Sequence, residues 1–454
     1  MTSSEQELDL DALREQLEDL IRSGTFDRAR ELAAPLHPSD IADLVEGMDE
    51  AERIGFVSLL PAELASETLA EMDAGDDRAE LLAALLPAKR AELLLELADD
   101  DAADLIGELE PEEQQRVLDG LPDDVSFRGL LEHEEESAGG LMTTELVAVQ
   151  AKLTAGEALE QVRLQGREVE DFYTVFVVDG ARRLRGTVGL DDLVIADPDQ
   201  EIDGMVEAPV ATVLPTMDQE DVGRLIGRYN LASIAVVDST GVLLGRITFD
   251  DVIDVIEAEQ TEDIFLMAGV GGDQNALRYT WLESVRARIP WLFVNLLTAA
   301  TASFVVYLFS DTIQNVVILA AIMPIVAGLG GNAGTQALAV TVRTISLDGG
   351  VEPVRELASM VGRELAVGAV NGGIIGGVVA VLATIVGGDP VLGVVVLLAM
   401  WGNLVIAGFL GSFVPSVMNR LGVDPAVGSS MFVTPFTDLF GFLFLLSLAS
   451  GLLL

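Results

Sequence analysis

The side chain best placed to do chemistry in this 454-residue chain is Asp438, within Thr434-Pro435-Phe436-Thr437-Asp438-Leu439-Phe440-Gly441. It lies in one of the long apolar runs that fill the last third of the sequence, where it reads as the only ionisable side chain. A charge at bilayer depth costs about 3 kcal/mol on insertion scales, so such a residue marks a functional site by default. With no Lys, Arg or His in those runs to pair with it, its partner is a cation from outside the chain. A second stretch, Pro324-Ile-Val-Ala-Gly328-Leu-Gly330-Gly331-Asn332-Ala-Gly334-Thr-Gln336, interrupts the second run. Glycines let helices approach closely, and Pro with Gly frees carbonyls that are tolerated in a membrane only where they face protein or water. Hard cations such as Mg²⁺ want oxygen ligands, so a carboxylate, carbonyls and an amide around a hydrated ion are chemically suitable. Glycine-rich helix packing without conduction is the plainer account of the motif.

Acids crowd a second region, 250–276. Asp250, Asp254 and Glu257 recur at i, i+4, i+7, with Asp251, Glu259, Glu262 and Asp263 on the remaining surface. Like charges at i, i+4 weaken a helix by a few tenths of a kcal/mol each. Bound divalent cations relieve that repulsion, and so does bulk salt. The whole chain carries a net charge of −48, with Lys89 and Lys152 its only lysines. Such a surface repels nucleic acid and anionic lipid, and adaptation to high salt accounts for most of its acids. The absence of cysteine excludes disulfides, thiolate nucleophiles and Cys-ligated metals. Proteolysis is also disfavoured: an intramembrane aspartyl protease needs two carboxylates, and the two histidines, His37 and His133, lie far from the apolar runs. No catalytic residue is assigned.

These residues need elements to hold them. Residues 1–130 read as short amphipathic helices, because Asp40-Ile-Ala-Asp-Leu-Val-Glu-Gly-Met-Asp…Leu60-Pro61 recurs as Asp101-Ala-Ala-Asp-Leu-Ile-Gly-Glu-Leu-Glu…Leu121-Pro122, sixty-one residues on. From about 138 to 260 the period changes to buried strands. Phe172-Tyr-Thr-Val-Phe-Val-Val-Asp179 and Ala232-Ser-Ile-Ala-Val-Val-Asp238 are each followed by a turn and a Gly-led strand, with a helical stretch Gln219–Tyr229 between the copies. Five spans follow, roughly 289–309, 314–342, 365–387, 390–418 and 427–453, each long enough to cross the hydrocarbon core. Arginine placement (Arg278, Arg286, Arg288; Arg343, Arg355, Arg363; Arg420) predicts a cytosolic N-terminus and an external C-terminus. The first twenty residues show neither a basic nor an apolar signal-peptide region.

The strand-turn-Gly-strand-Asp-Asp duplication, at a spacing of fifty-nine, resembles a tandem CBS pair. Such pairs commonly bind adenine nucleotides through a Ser/Thr-x-x-Asp. That motif is present as Thr248-x-x-Asp251 and altered to Gly189-x-x-Asp192 in the first copy, so the resemblance implies at most one ATP-like site. The chain as a whole resembles the MgtE family of magnesium channels. Its motifs are Ser137-Ala-Gly-Gly-Leu-Met-Thr-Thr-Glu145, Asp250–Asp263, Gly330-Gly-Asn-Ala-Gly-Thr-Gln336, Leu421-Gly-Val-Asp-Pro425 and Asp438. The fold implied is an acidic α-helical N-terminal solenoid (1–130), an α/β tandem CBS pair (138–200 and 201–256), a connecting plug helix (257–277) and an all-α transmembrane domain of five helices (285–454). The resemblance further implies a plasma-membrane homodimer with a pore on its axis, hydrated Mg²⁺ at Asp438, and Gly330, Gly331, Asn332 and Gly334 as pore lining. Its cytosolic sensor ligands fall on Asp218, Glu220, Asp251, Asp254, Glu259, Glu262, Asp263, Asp424 and Asp100 or Asp101. Asn230 stands where the family has an acid, and Pro435 and Phe436 depart from the small residues usual before the pore aspartate. A Mg²⁺ carrier coupled to H⁺ or Na⁺, or a channel for Co²⁺ or Mn²⁺, is compatible with the same residues.

Overall fold

The computed structural model describes residues 3–73, 75–122, 125–167, 169, 172–270, 280–348, 354–426 and 429–454. They form two compact units, Met1–Ile256 and Glu257–Leu454. The predicted plug helix falls partly outside the described residues, as does Arg278.

The first unit opens with α1 (Ser3–Arg22) and a run of short helices: α2 (Phe26–Ala33), α3 (Pro38–Glu46), α4 (Glu50–Val57), α5 (Ala62–Ala70), α6 (Asp76–Ala84), α7 (Pro87–Leu94), α8 (Asp99–Gly107) and α9 (Pro111–Asp119). Helices this short do not persist alone in water. They persist here by burying one stripe each, Ile41, Leu44 and Val45 in α3 and Leu105 and Ile106 in α8. Pro38, Pro87 and Pro111 occupy helix starts, where a missing N–H costs nothing. Buried arginines serve the opposite ends: Arg53 donates to the carbonyls of Glu46 and Met48, and Arg78 to those of Ala70 and Met72 at 3.2 Å. Helix starts from α2 to α9 fall every eleven to fourteen residues. The sixty-one-residue recurrence therefore joins α3 to α8, five helices on, and the repeating unit is one helix and its turn. Leu60-Pro61 opens α5, whereas Leu121-Pro122 leads to two 3-10 turns, Ser126–Arg128 and Leu130–Glu132.

Two α/β modules follow. The first holds β1 (Ala148–Gln150), α10 (Ala155–Gln165), β2 (Thr174–Val178), β3 (Leu184–Gly189) and α11 (Leu190–Ile195). The second holds β4 (Thr212–Val213), α12 (Gln219–Tyr229), β5 (Ser233–Val237), β6 (Leu243–Thr248) and α13 (Phe249–Ala268). In each sheet the middle strand pairs parallel with the first and antiparallel with the third. The central strands are almost wholly buried, which is why they read as continuous apolar runs rather than alternating ones. The hairpins join the modules tip to tip, Leu184 N–H donating to Gly241 O and Leu243 N–H to Arg182 O, both at 3.0 Å.

The second unit is helical: α14 (Trp281–Leu308), α15 (Ser310–Asn315), α16 (Ile318–Asp348), α17 (Val354–Gly387), α18 (Pro390–Arg420) and α19 (Ser429–Leu452). All but α15 are long and apolar enough to cross a membrane, as the sequence predicts. α18 is the axle, with 56% of its most apolar window buried against 6% for α14. Glycines bring the backbones together: a Cβ at Gly372 of α17 would stand 2.9 Å from Trp401 Cα, and one at Gly411 of α18 would stand 2.5 Å from Gly334 O.

Two expectations are corrected. The predicted interruption of the second span is absent: α16 runs unbroken through Pro324, at the local cost of depriving the Ala320 carbonyl of an N–H partner. The third helix starts earlier than its apolar run and carries Glu364, only 7% exposed, so Asp438 is not the sole ionisable group on these helices. Periodicity missed Glu364 because its polar surroundings Arg355, Glu356 and Arg363 look like a loop in one dimension. Arg363 donates to it at 3.4 Å.

Candidate functional site

Asp438 is carried by α19, on the turn beside its contact with α16. Thr437, fully buried, donates its hydroxyl to the Thr434 carbonyl at 2.8 Å, bending its polarity back onto the helix. Thr434 Cγ2 would lie 3.2 Å from a Cβ at Gly331, and Val433 would collide with one at Gly334. Gly330 is likewise filled by Asn403 of α18. These three predicted lining residues are buried and in close contact with α18 and α19. Asn332, between them, is exposed. Asp438 is half-buried and, among the described residues, takes no hydrogen bond or ion pair. Among the described residues nothing compensates its negative charge.

A second concentration of acids lies in the first unit, where α8 meets β6 and the start of α13. Asp99, 1% exposed, is held firmly: Thr143 donates its hydroxyl at 2.5 Å, Thr144 its N–H at 3.1 Å and its hydroxyl as well. Its neighbour Asp100 is not held. Its Oδ1 is buried with no hydrogen-bond partner, and burial, then the charges of Asp101, Asp251 and Asp99, push its carboxyl well above the usual 3.8. Asp251 is raised by burial and by Asp250, against the Thr248 hydroxyl and N–H that bond to it. Arg246, 6% exposed, shares the cluster and donates to Glu145 O at 2.9 Å, but its burial lowers its own pKa. Two raised carboxylates, one of them with an orphaned oxygen, beside a single arginine are the electrostatics of a site with more negative than positive charge.

Other predicted ligands have local duties. Asp218 caps α12, accepting from Glu220 N–H at 2.9 Å, and Glu220 pairs with Arg224 at 3.4 Å. Asn230 ends α12 in the left-handed conformation, φ 56°, which asparagine adopts more readily than most residues. Asp101, Glu259, Glu262 and Asp263 are half-buried and Asp254 is exposed. Among the described residues no three acidic or histidine side chains converge in a geometry that would grip a bare metal ion.

In the second unit, the C-terminal half of α13 rests on α16. Leu266 is buried with Leu338, Val342 and Ala426. Two residues before Ala426, Asp424 accepts its N–H at 2.7 Å, while burial raises the Asp424 carboxyl.

Sequence reasoning missed Asp99 and Asp104. Asp104 borders a cavity of about 230 Å³ with Gln114, His133 and Glu135. Protein crowded around it raises its carboxyl to about 7, although the residue keeps an exposed edge that tempers the shift. Its only one-dimensional signal was its position one turn after Asp100.

Residues 323–448 match the family described as MgtE, divalent cation transporter; 36–136 match the MgtE intracellular N domain; 138–199 and 201–258 match the CBS domain. The chain is 33% identical over 453 residues to the magnesium transporter MgtE of Thermus thermophilus, covering 96% of this chain and 98% of that one. It is 32% identical over 435 residues to the magnesium transporter MgtE of Enterococcus faecalis, covering 95% of each. Among solved structures it resembles the cytosolic domain of the Mg²⁺ channel MgtE in complex with ATP, with a TM-score of 0.51 and 34% identity over 53% of this chain and 99% of that one. The soluble part of a magnesium transporter gives the same TM-score at 29% identity, over 55% of this chain and 99% of that one.

Proposed function

The chain belongs to the MgtE family of magnesium transporters, and on that premise we propose that it is a Mg²⁺ channel of the plasma membrane, closed by the Mg²⁺ that accumulates on its cytosolic side. The observation that carries the pore assignment is Asp438, a half-buried carboxylate on a membrane-length helix with no partner among the described residues. Mg²⁺ surrenders its water shell reluctantly, so Asp438 holds the hydrated ion through its water rather than stripping it. Two such carboxylates, from this chain and a second copy across a two-fold axis, double the attraction for a divalent ion. Asn332, exposed on α16, lines the path.

Closure uses acids whose own repulsion a divalent ion relieves. In the first unit these are Asp100 and Asp251, with Asp101 and Asp254 beside them. In the second they are Glu259, Glu262 and Asp263 on α13 and Asp424 in the loop before α19. Binding shifts the gate by its differential affinity for the closed arrangement. An adenine nucleotide is assigned to Thr248 and Asp251 on the resemblance to the ATP-bound relative. Asp251 then serves both ligands, and nucleotide and Mg²⁺ influence each other there. Arginines at the ends of the spans support a cytosolic N-terminus and external C-terminus.

Mg²⁺ flux into liposomes tests the reading. Asp438→Asn should abolish it while the protein still inserts, and current through the native protein should follow the Mg²⁺ gradient alone. Undiminished flux in the variant removes the pore assignment, and current that needs an H⁺ or Na⁺ gradient makes the protein a coupled carrier.

A further inference from the structure

Asn403 is one of the polar residues fully enclosed by the helices around the ion path, and neither the pore nor the sensor reading uses it. It sits mid-way along α18 with no exposed surface. Its Nδ2 donates to the Val326 carbonyl of α16 at 3.0 Å, while its Oδ1 is buried without a partner. The amide fits only because two glycines make room. A Cβ at Gly330 of α16 would collide with Nδ2, and one at Gly441 of α19 would stand 2.8 Å from it. One side chain thus occupies the junction of α16, α18 and α19. Gly330 lies two residues before Asn332, and Gly441 lies one turn after Asp438.

We propose that Asn403 is a positioning residue for ion selection: it sets the separation of α16 and α19 and thereby the spacing of Asn332 and Asp438. This rests on the pore reading above. The bond is not what keeps Val326 satisfied, because within α16 that carbonyl also faces the Gly330 N–H one turn on. Stability alone would favour an apolar side chain, since an unpaired buried acceptor carries a desolvation cost. The amide is retained for where it holds the helices. Spacing matters for Mg²⁺ in particular, whose water shell is compact and near-octahedral, whereas Ca²⁺ accepts variable coordination at longer distances.

The test uses the full-length protein in liposomes, comparing Mg²⁺ with Ca²⁺ flux. Asn403→Leu removes the donor and the orphaned acceptor while keeping the branched shape of the side chain with bulkier methyl ends, and Gly330→Ala displaces the amide from the other side. Each variant should remain folded, with Asn403→Leu melting no lower than native, yet the Mg²⁺-to-Ca²⁺ flux ratio should fall by roughly tenfold, the factor that 1.4 kcal/mol of differential binding supplies. A native ratio in whichever of the two variants folds overturns the inference if Asp438→Asn is inactive in the same assay. If Asp438→Asn conducts normally, the pore reading itself fails and the inference falls with it.

Discussion

Leu266 of α13 and Leu338 of α16 belong to one buried cluster, closed by Val342 and Ala426, so the acidic helix is docked on the helix that carries Asn332. A docked helix of this kind gates a pore only if the docked and undocked arrangements differ in energy. Leu266→Ala removes a buried side chain from one arrangement and costs about 2 kcal/mol or more there. The half-closing concentration of Mg²⁺ should then rise by at least about tenfold in patch recordings. An unchanged closing concentration would show that this contact persists in the open state.

Asp424 lies two residues before Ala426 of that cluster, and the α13 acids lie on the helix that brings Leu266 to it. Neutralising Asp424 to Asn together with Glu262 to Gln should leave conduction intact and make the pore harder to close with cytosolic Mg²⁺. Single-channel conductance and closing concentration measured on the same patches separate the two effects. Reduced conductance with normal closure would move these acids from the sensor to the ion path.

The raised carboxyls of the first unit give a pH dependence with a definite sign. Asp100 and Asp251 are raised, and Asp104 reaches about 7 from an ordinary 3.8. Above the ordinary 3.8 the folded state holds protons that the unfolded chain has lost, so stability falls as pH rises through the raised values of these groups. The region 1–256, melted at fixed high salt without divalent ions, should lose stability from pH 5 to pH 7.5, and Asp100→Asn should flatten the slope. Mg²⁺ should stabilise it more at pH 7.5, where the carboxylates are charged. Equal stabilisation at both values, or equal protection by Na⁺, would mean that these acids serve salt tolerance alone.

Asp99 tests structure rather than sensing. Asp99→Ala leaves the Thr144 N–H and two hydroxyls without their charged acceptor, a loss of roughly 3 kcal/mol. Thermal unfolding of the same region should drop by about 5–10 °C. Thr143→Val should cost less, because Thr144 still bonds the carboxylate.

The sequence by itself determined what depends on residue type and period. Apolar runs of membrane length, buried strands repeating at fifty-nine residues and a carboxylate inside an apolar run at Asp438 each declare themselves locally, since bilayer thickness and strand burial constrain composition directly. The fold class was legible for that reason. Only the tertiary structure decided which side of each motif meets which neighbour. Gly330, Gly331 and Gly334 make close helix contacts, which depend on what another helix presents at that depth. Of the adjacent acids Asp99 and Asp100, one is saturated by Thr143 and Thr144 and the other is left with a bare buried oxygen. Their one-dimensional signal is identical, and a few ångströms of packing against residues more than forty positions away separates an anchor from a candidate ion ligand. Asn403 carried no signal at all: an asparagine in an apolar run becomes informative only once two glycines from distant helices are seen to close around it.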